Sequence, residues 1–315
     1  MKLISVIIPL YKPPHFILRA LKSVLSQTVK PDEILVVDDG SPFGGADVVQ
    51  SLQDQRIRLI RQENSGVSVA RNRGISEASG EIIAFLDDDD EWKPNYLETI
   101  LAMCELFPHA GAYATAYEII SPFGEKITKN FHVISPGNKQ GLIMDYLKVA
   151  IHFPIFMSAT SVPKKVLEEI GGFAPGEDID QDVDVWLKIS LKYPLAWSSE
   201  CLVIWHQEAS HRVLGNRRWY KEPAISRTAR EAIAGGKVPP EKLADLREYV
   251  AHFQVNAARD CLVQGQKETA RQLLEYARGT RKFAQQWWQW RILAALPGRA
   301  APWLWRLKQS GKHWW

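Results

Sequence analysis

The sequence predicts an α/β protein built on a parallel, doubly wound sheet. Three continuous apolar runs rich in β-branched residues are typical of strands buried on both faces, and they lie at 3–9, 34–37 and 81–86. Segments with helical spacing of apolar residues lie between them, at 17–25 and 67–76. This alternation favours parallel strands joined by crossover helices.

The weaker elements of the first half fit the same alternation. A short helix is expected at 48–52 and a short strand at 57–60. Asn64-Ser65-Gly66 marks a turn before the second strong helix, and Gly80 ends that helix before the third strong strand. Every predicted strand in this half is therefore followed by a turn or helix that can return the chain to the same edge of the sheet.

The second half is less regular and divides into two parts. We expect a strand at 112–120, a turn at 121–124, helices at 164–170 and 182–191, and a strand at 195–205. From about residue 221 the chain is predicted to be helical, with a hairpin whose arms, 243–257 and 270–277, are separated by Gly265. The predicted domains are 1–220 and a helical extension, 221–315.

Charge is distributed unevenly along the chain. The net charge is +3, but residues 276–315 hold eight Lys or Arg, no Asp or Glu, and seven of the twelve Trp. The first 275 residues are therefore net acidic, with 31 basic and 36 acidic side chains. The sequence predicts an acidic body followed by a basic, Trp-rich tail.

Several protein classes are disfavoured by what the sequence does not contain. The three cysteines are far apart and form no CxxC pair, which argues against a disulfide framework or structural zinc site and favours a reducing compartment. No apolar run reaches the roughly 18–20 residues of a membrane-spanning helix. Neither a GxxxxGK[ST] nor a GxGxxG loop follows a strand, so a kinase, ATPase or dinucleotide dehydrogenase is disfavoured.

Acidic clusters follow two of the strong strands. Asp38-Asp39 and Asp87–Asp90 fall at carboxyl ends of predicted strands, where α/β sheets bind ligands. A hard cation such as Mg²⁺ or Mn²⁺ would relieve the repulsion between Asp87 and Asp89. The alternative is a solvated turn capping a helix that begins near Trp92-Lys93-Pro94. An EF-hand loop is disfavoured, because Trp92 stands where that loop needs glycine.

Six segments, taken in order and spacing, resemble family 2 glycosyltransferases. They are SVIIPLYK (5–12), VVDDGS (36–41), NSGVSVARNRGI (64–75), ASGEIIAFLDDDDEWKP (78–94), GGF (171–173) and QDVDVWLKI (181–189). The resemblance covers about residues 3–210 and implies the GT-A fold, a Rossmann-like, mostly parallel doubly wound sheet, here with a C-terminal α-helical extension.

The resemblance implies a donor site at these motifs. The residues expected against the nucleotide part of a nucleotide-sugar, most often a UDP-sugar in relatives, are Pro9, Tyr11, Asp38, Asp39, Arg71, Asp87 and Asp88. Tyr11 has the alternative of packing in the core at a strand end. Asp89 is expected to bind Mn²⁺ or Mg²⁺, with His206 as a second candidate ligand, although a loop or core histidine is an equal alternative.

The resemblance also implies a catalytic base at the start of a helix. Asp182 matches the base of the family's ED pair, and a base here would accept the proton of an acceptor hydroxyl. One carboxylate suffices for a single inversion, unlike the carboxylate pair of glycoside hydrolysis. Asp180 is the alternative if the register shifts. Gln181 replaces the usual Glu, and this departure supports the alternative function, a non-catalytic saccharide- or nucleotide-binding homologue.

The expected activity is inverting, metal-dependent transfer of a sugar to a hydroxyl of a saccharide or lipid-linked saccharide, by analogy in bacterial polysaccharide or lipopolysaccharide synthesis. For the tail, 276–315, docking on a membrane surface competes with packing as core. Indoles favour the membrane interface and basic residues favour anionic headgroups. Nucleic acid is not expected as a partner, since the body is acidic. We expect a cytoplasmic protein, peripheral on the inner face of the cell membrane if the tail docks.

Overall fold

The computed structural model describes residues 2–129, 131, 133–135, 137–143, 145–177, 179–208 and 219–296. The chain divides into two compact units, Met1–Gly215 and Asn216–Trp315. This division lies a few residues before the predicted boundary between 220 and 221.

The first unit is an α/β unit around one large sheet. Its strands are β1 Ile4–Leu10, β2 Glu33–Asp39, β3 Ile57–Gln62, β4 Ile82–Phe85, β5 Glu91–Trp92, β6 Ala112–Ile120, β7 Lys126–Thr128, β8 Gln140–Leu142, β9 Thr160–Pro163 and β10 Leu195–His206. Its helices are α1 Pro14–Leu25, α2 Gly45–Ser51, α3 Val67–Glu77, α4 Tyr96–Leu106, α5 Tyr146–Val149, α6 Lys164–Glu169 and α7 Gln181–Ser190, with 3₁₀ turns at Ala150–His152 and Met157–Ala159.

The strand order places the acidic clusters side by side. The sheet runs β3-β2-β1-β4-β9-β6-β10-β5, with β7 beside β6 and β8 beside β10. The first four strands of this order are parallel, so β1, β2 and β4 end at the same edge. The predicted α/β class is confirmed, and the antiparallel pairs involve the short strands β5, β7, β8 and β9.

The central strands form because their side chains are apolar on both faces. All seven residues of β1 are buried, as are Ile82–Phe85 of β4. Helix α1 begins with Pro14 at its first turn, where a missing N–H costs nothing, and buries Ile17 and Leu21 against the sheet. The core of this unit thus holds the sheet edge, and the polar loops that follow it, in a fixed position.

The helix expected to begin near Trp92-Lys93-Pro94 starts later. Glu91 and Trp92 form the short strand β5, which pairs antiparallel with β10, and α4 begins at Tyr96. The Trp92 indole stacks on Tyr96 with ring centroids 4.2 Å apart and donates to the Ser158 carbonyl at 2.6 Å. Contacts with Tyr96 and with the distant Ser158 therefore hold Trp92 as a strand residue, and Pro94 stands before the helix.

The second unit is helical in its described part. It contains α8 Ala224–Ala234, a 3₁₀ turn Pro240–Lys242, α9 Leu243–Val263, α10 Lys267–Tyr276 and α11 Ala284–Ala295. The predicted hairpin is confirmed as α9 and α10, which Gly265 separates with a left-handed φ of 83°.

Helix α11 divides its apolar side chains between a core and the surface. Trp290 is buried with α9 and α10, and the Trp287 indole donates to the Leu274 carbonyl at 2.6 Å. Trp288 and Ile292 are each 60% exposed. The rest of the predicted tail, 297–315, lies outside the described residues. No helix in the described ranges is long and apolar enough to span a membrane.

Candidate functional site

The carboxyl end of β2 is tied to the turn before α3. Asp39 is buried, and its carboxylate accepts from the Gln62 amide at 2.7 Å and from the backbone N–H groups of Ser65 and Gly66 at 2.9 Å each. Gly40 has φ of 66°, and a Cβ there would lie 2.9 Å from the Asn64 nitrogen. The Asp39 side chain, predicted to lie beside the base, thus holds two loops together.

Asp38 keeps more of its acceptor capacity. One of its oxygens accepts from the Ser41 N–H at 2.9 Å, while the other has Arg61, 4.0 Å away, as its ionic neighbour among the described residues. Tyr11, which follows β1 at the same edge, is 47% exposed, whereas Pro9 is buried within β1. At this exposure Tyr11 is not a core residue, so the alternative of core packing is wrong.

Arg71 of α3 is fixed between a carboxylate and an aromatic ring. Its guanidinium donates to Asp87 at 2.6 Å and lies over the Phe173 ring, 5.3 Å from the centroid. The residue is 2% exposed, and its Nε and Nη1 have no hydrogen-bond partner among the described residues. Buried donors without partners are costly, so this guanidinium is prepared for an acceptor.

Phe173 is held in place by the neighbour of Arg71. The Asn72 amide donates to the Phe173 carbonyl at 2.8 Å and accepts from the Phe173 N–H at 2.9 Å. The Phe173 ring meets Phe85 edge to face with centroids 5.5 Å apart. Two motifs about a hundred residues apart, ARN and GGF, therefore form one structural unit that places Arg71.

Asp88 and Asp89 are both engaged by the loop that follows β1. Asp88 Oδ2 accepts from the backbone N–H groups of Tyr11 and Lys12 at 2.9 and 2.8 Å. The Lys12 ammonium lies 2.5 Å from Asp89 Oδ2 and 3.7 Å from Asp88 Oδ1. Asp88 was predicted to contact the nucleotide, whereas the structure shows its buried carboxylate inside the protein.

The charges of this cluster oppose its burial. Burial raises the pKa of Asp88 to about 6 and also raises that of Asp89, although the Lys12 charge acts against both shifts. Burial acts to lower the pKa of Lys12, but the negative charges of Asp89 and Asp88 outweigh it and raise that pKa. The lysine is therefore held in its charged form.

Asp90 joins the cluster to β10. Its carboxylate accepts from the Ser158 hydroxyl at 2.5 Å and from the His206 backbone N–H at 3.2 Å. The His206 ring contacts Glu91 Oε2 at 3.3 Å, and burial, with the nearby Arg19 charge, lowers the pKa of the imidazole. The predicted metal ligands Asp89 and His206 thus have different side-chain partners, Lys12 and Glu91.

A divalent cation at Asp89 would need further ligands. The carboxylate of Asp89 has the hard oxygen chemistry that Mg²⁺ and Mn²⁺ prefer. In the described part of the chain, no group of three His, Cys, Asp or Glu side chains could hold a metal ion. A cation held by Asp89 would therefore have to take its remaining ligands from water and from a bound diphosphate, as Mg²⁺ commonly does.

Asp182 lies in the first turn of α7, close to the Arg71 pair. Burial raises its pKa; the charge of Arg71 acts against this shift, and that of Asp87 adds to it. The Asp182 charge in turn contributes to the raised pKa of Tyr117, after burial. A carboxylate with a raised pKa is better suited to accept a proton near neutral pH.

The residues before Asp182 have their own constraints. Asp180 has a left-handed φ of 53°, and burial, together with the Asp182 charge, raises its pKa to about 7. Gln181 is the first residue of α7 and is half-buried.

Four residues of the site were missed from the sequence. Lys12 lies in the segment 5–12 and Asn72 in the segment 64–75, so their place in these two motifs could have indicated a role in the site. Ser158 lies in the 3₁₀ turn Met157–Ala159 and Tyr117 lies in β6, and they reach Asp90 and the surroundings of Asp182 only through the fold.

A family model described as "Glycosyl transferase family 2" matches residues 5–171, more than half of the chain. The chain belongs to glycosyl transferase family 2.

The chain matches curated members of this family over only part of their length. The uncharacterized glycosyltransferase alr2836 of Nostoc is 46% identical over 101 residues, 31% of either protein. The putative teichuronic acid biosynthesis glycosyltransferase TuaG of Bacillus subtilis is 37% identical over 134 residues, 41% of this chain and 52% of TuaG. The chain thus spans about a third to a half of the length of these two relatives.

Solved structures match nearly the whole chain. Residues 1–349 of Staphylococcus aureus TarS superpose with a TM-score of 0.64 at 17% identity, covering 98% of this chain and 92% of that one. The same fragment in complex with UDP-GlcNAc superposes with a TM-score of 0.62. The predicted GT-A fold with a helical C-terminal region is confirmed.

Proposed function

We propose that this family 2 protein is an inverting, metal-dependent glycosyltransferase that moves a sugar from a UDP-sugar to a saccharide or lipid-linked saccharide hydroxyl. The observation that carries the proposal is the convergence of Arg71, Asp87 and Asp182. The Arg71 guanidinium pairs with Asp87 and keeps two N–H groups without a partner in the described part of the chain, and its charge acts on the Asp182 carboxylate, whose pKa burial raises.

The proposal that a UDP-sugar is the donor rests on exposed and charged groups at the carboxyl edge of the sheet. Tyr11 and one oxygen of Asp38 are available to a nucleoside, and the free N–H groups of Arg71 suit diphosphate oxygens, which guanidinium binds well. The complex of TarS with UDP-GlcNAc supports a UDP-sugar as the donor class.

The leaving diphosphate needs positive charge as the anomeric bond breaks. Arg71 supplies one such charge. Asp89 would hold Mn²⁺ or Mg²⁺ there, with His206 as the second proposed ligand, and the cation would supply Lewis-acid stabilisation of the diphosphate.

Asp182 would accept the proton of the attacking hydroxyl. A single base on the acceptor side leads to inversion at the anomeric carbon. Beside it, Tyr117 belongs to an aromatic cluster in which its ring centroid lies 5.1 Å from that of Phe156, which stacks on Trp205 at 4.9 Å. Phe156 and Trp205 are partly exposed, and such aromatic side chains commonly line ligand pockets and would suit a saccharide acceptor. The basic tail would bring the enzyme to a membrane that carries the lipid-linked form.

The test is UDP release from a panel of UDP-sugars, begun with UDP-GlcNAc, with acceptor saccharides, in Mn²⁺ and in EDTA. We expect turnover that EDTA abolishes and a product whose NMR spectrum shows the opposite anomeric configuration. Asp182→Asn should lower kcat by about 10²–10⁴-fold, since a positioned base contributes that much, and leave donor affinity unchanged.

Asp180→Asn is the control for register. It should keep turnover, and loss of turnover in this variant alone would move the base to Asp180. Retained turnover in both variants would contradict a carboxylate base at the start of α7.

A second candidate is a non-catalytic nucleotide- or saccharide-binding protein, which Gln181 favours because the usual acid of the ED pair is absent. It predicts UDP binding without UDP release from any donor of the panel.

A further inference from the structure

Lys12 occupies the carboxylate on which the proposed function places the cation. Its ammonium is 2.5 Å from Asp89 Oδ2 and 3.7 Å from Asp88 Oδ1, and its side chain is only 24% exposed. Within the described residues, it is the side-chain cation paired with these two carboxylates. Lys12 therefore already provides the positive charge that a metal ion would bring to Asp89.

The backbone of Lys12 is held by hydrogen bonds, whereas its side chain is held by ion pairs. Asp88 Oδ2 holds the N–H groups of both Tyr11 and Lys12, which ties the loop after β1 to the acidic turn. The lysine stem, by contrast, is a flexible chain of four carbons. The ammonium can leave Asp89 without any movement of the loop.

The neighbouring charges have other partners. Asp87 is paired with Arg71, and Asp90 accepts from Ser158 and from the backbone N–H of His206. The nearby Arg19 donates to the Asp89 backbone carbonyl at 2.6 Å and pairs with Glu208. Loss of the Lys12 charge would thus leave Asp88 and Asp89 without a side-chain counter-ion among the described residues.

A divalent cation and the Lys12 ammonium cannot share Asp89 without strong repulsion. Two positive charges about 4 Å apart repel by several kcal/mol at the effective dielectric of a protein surface. A nucleoside diphosphate changes this balance, because its phosphate oxygens offer the ammonium and the cation a common negative partner.

We propose that Lys12 is a built-in competitor that keeps a divalent cation off Asp89 until a nucleoside diphosphate binds. The inference rests on the proposed function only in taking Asp89 as the ligand of the cation. It makes cation binding depend on the donor, so that the protein alone has low affinity for Mn²⁺.

The experiment is titration of the full chain with Mn²⁺ alone, read by loss of the free Mn²⁺ signal in electron paramagnetic resonance. Lys12→Met should bind Mn²⁺ more tightly than wild type by at least about tenfold, since the competing charge is gone. Lys12→Gln, which can still hydrogen-bond Asp89, should show the same gain and serves if the Met variant fails to fold. Lys12→Arg should stay as weak as wild type.

Two further variants locate the effect. Lys22→Met removes an exposed lysine of α1 and should leave Mn²⁺ affinity unchanged. Lys12→Met combined with Asp89→Asn should lose the gain. Added UDP should tighten Mn²⁺ binding strongly in wild type and much less in Lys12→Met.

Equal Mn²⁺ affinity in wild type, Lys12→Met and Lys12→Gln would overturn the proposal, as would a gain that survives Asp89→Asn. These titrations contain no donor sugar. If Lys12→Met gains Mn²⁺ affinity but no UDP-sugar is turned over, the competition by Lys12 is supported and the proposed activity is refuted. Turnover of a UDP-sugar without a gain in Mn²⁺ affinity would support the proposed activity and refute the competition by Lys12.

Discussion

Asp180, just before α7, has both an unusual backbone conformation and a raised pKa. Its left-handed φ of 53° suits Asn as well as Asp, and its pKa is raised to about 7, first by burial and then by Asp182. In the unfolded chain, an aspartate titrates near pH 3.8. Between these two values the folded protein holds a proton that the unfolded chain releases, so this group's contribution to stability is complete below about pH 4 and is lost as pH rises through 7.

Asp180→Asn is therefore expected to stabilise the protein at high pH. Relative to wild type, the variant should gain about 1–2 kcal/mol more at pH 8 than at pH 5, because each unit of pKa shift corresponds to about 1.4 kcal/mol and the side chain keeps some solvent contact. Urea unfolding at the two pH values measures this. Asp47→Asn, whose side chain is 84% exposed on α2, is the matched control. The same gain at both pH values would show that Asp180 ionises normally in the fold.

At the scale of elements, the end of α6 holds the arginine of α3. Gly171 and Gly172 both have positive φ, 76° and 63°. A Cβ on Gly172 would lie 2.5 Å from Asn72 Oδ1, whereas a Cβ on Gly171 would meet nothing within 4 Å. Substituting Gly171 therefore tests backbone strain alone, whereas substituting Gly172 also displaces the Asn72 side chain. Asn72 positions Phe173, whose ring lies against Arg71.

Gly171→Ala should cost about 1–2 kcal/mol of unfolding free energy, the price of a left-handed alanine. Gly172→Ala should cost about 1–3 kcal/mol more, since the hydrogen bonds between Asn72 and Phe173 are also disturbed. Only Gly172→Ala should weaken UDP binding, because only it moves the surroundings of Arg71. Urea denaturation and UDP titration measure the two effects. Equal UDP affinities in the two variants would show that the contact between Gly172 and Asn72 has no effect on donor binding.

The elements were predictable where local pattern is strong. Strand β6 has the predicted bounds, and β1, β2, β4 and the α9–α10 hairpin follow from apolar runs and spacing. The two-residue strand β5 was not predictable, because it exists only through its pairing with β10, more than a hundred residues later. No periodicity can be seen in two residues.

The same distinction applies to the candidate site. The positions of Asp38, Arg71 and Asp182 followed from motifs, since parallel strands bring their carboxyl ends to one edge. The partners of Asp88, Asp89 and Asp90 did not follow, because Lys12, Ser158 and His206 come from segments about 70 to 120 residues away. Four carboxylates in a row are equivalent in sequence and become different only through these contacts.

For the whole molecule, the structure divides the basic tail into two parts. Residues 284–295 form α11, whose Trp287 and Trp290 pack with the helical core, as the alternative of core packing required. Its basic Arg291 pairs with Glu275 at 3.4 Å. The remaining residues, 297–315, carry four Lys or Arg, no acid and four Trp. Membrane docking therefore becomes a proposal about 297–315 and the exposed side chains of α11, Trp288 and Ile292.

A chain ending at residue 296 is the truncation that tests this proposal, because an earlier end would remove α11 from the core of the second unit. Full-length protein should float with vesicles of phosphatidylglycerol and phosphatidylcholine, and residues 1–296 should largely remain in the soluble fraction. Each basic residue near an anionic surface contributes about 1 kcal/mol, so the loss of four should lower vesicle affinity by about two orders of magnitude or more.

Two controls separate charge from apolar contact in this flotation. Salt at about 0.5 M should weaken binding of the full chain, since screening lengths fall to a few ångströms. Trp288→Ala combined with Ile292→Ala should weaken binding further without moving the unfolding transition, because both side chains are 60% exposed. Equal recovery of the full chain and of residues 1–296 in the floated fraction would contradict docking through the tail. The acceptor would then have to reach the carboxyl end of the sheet without help from the membrane surface.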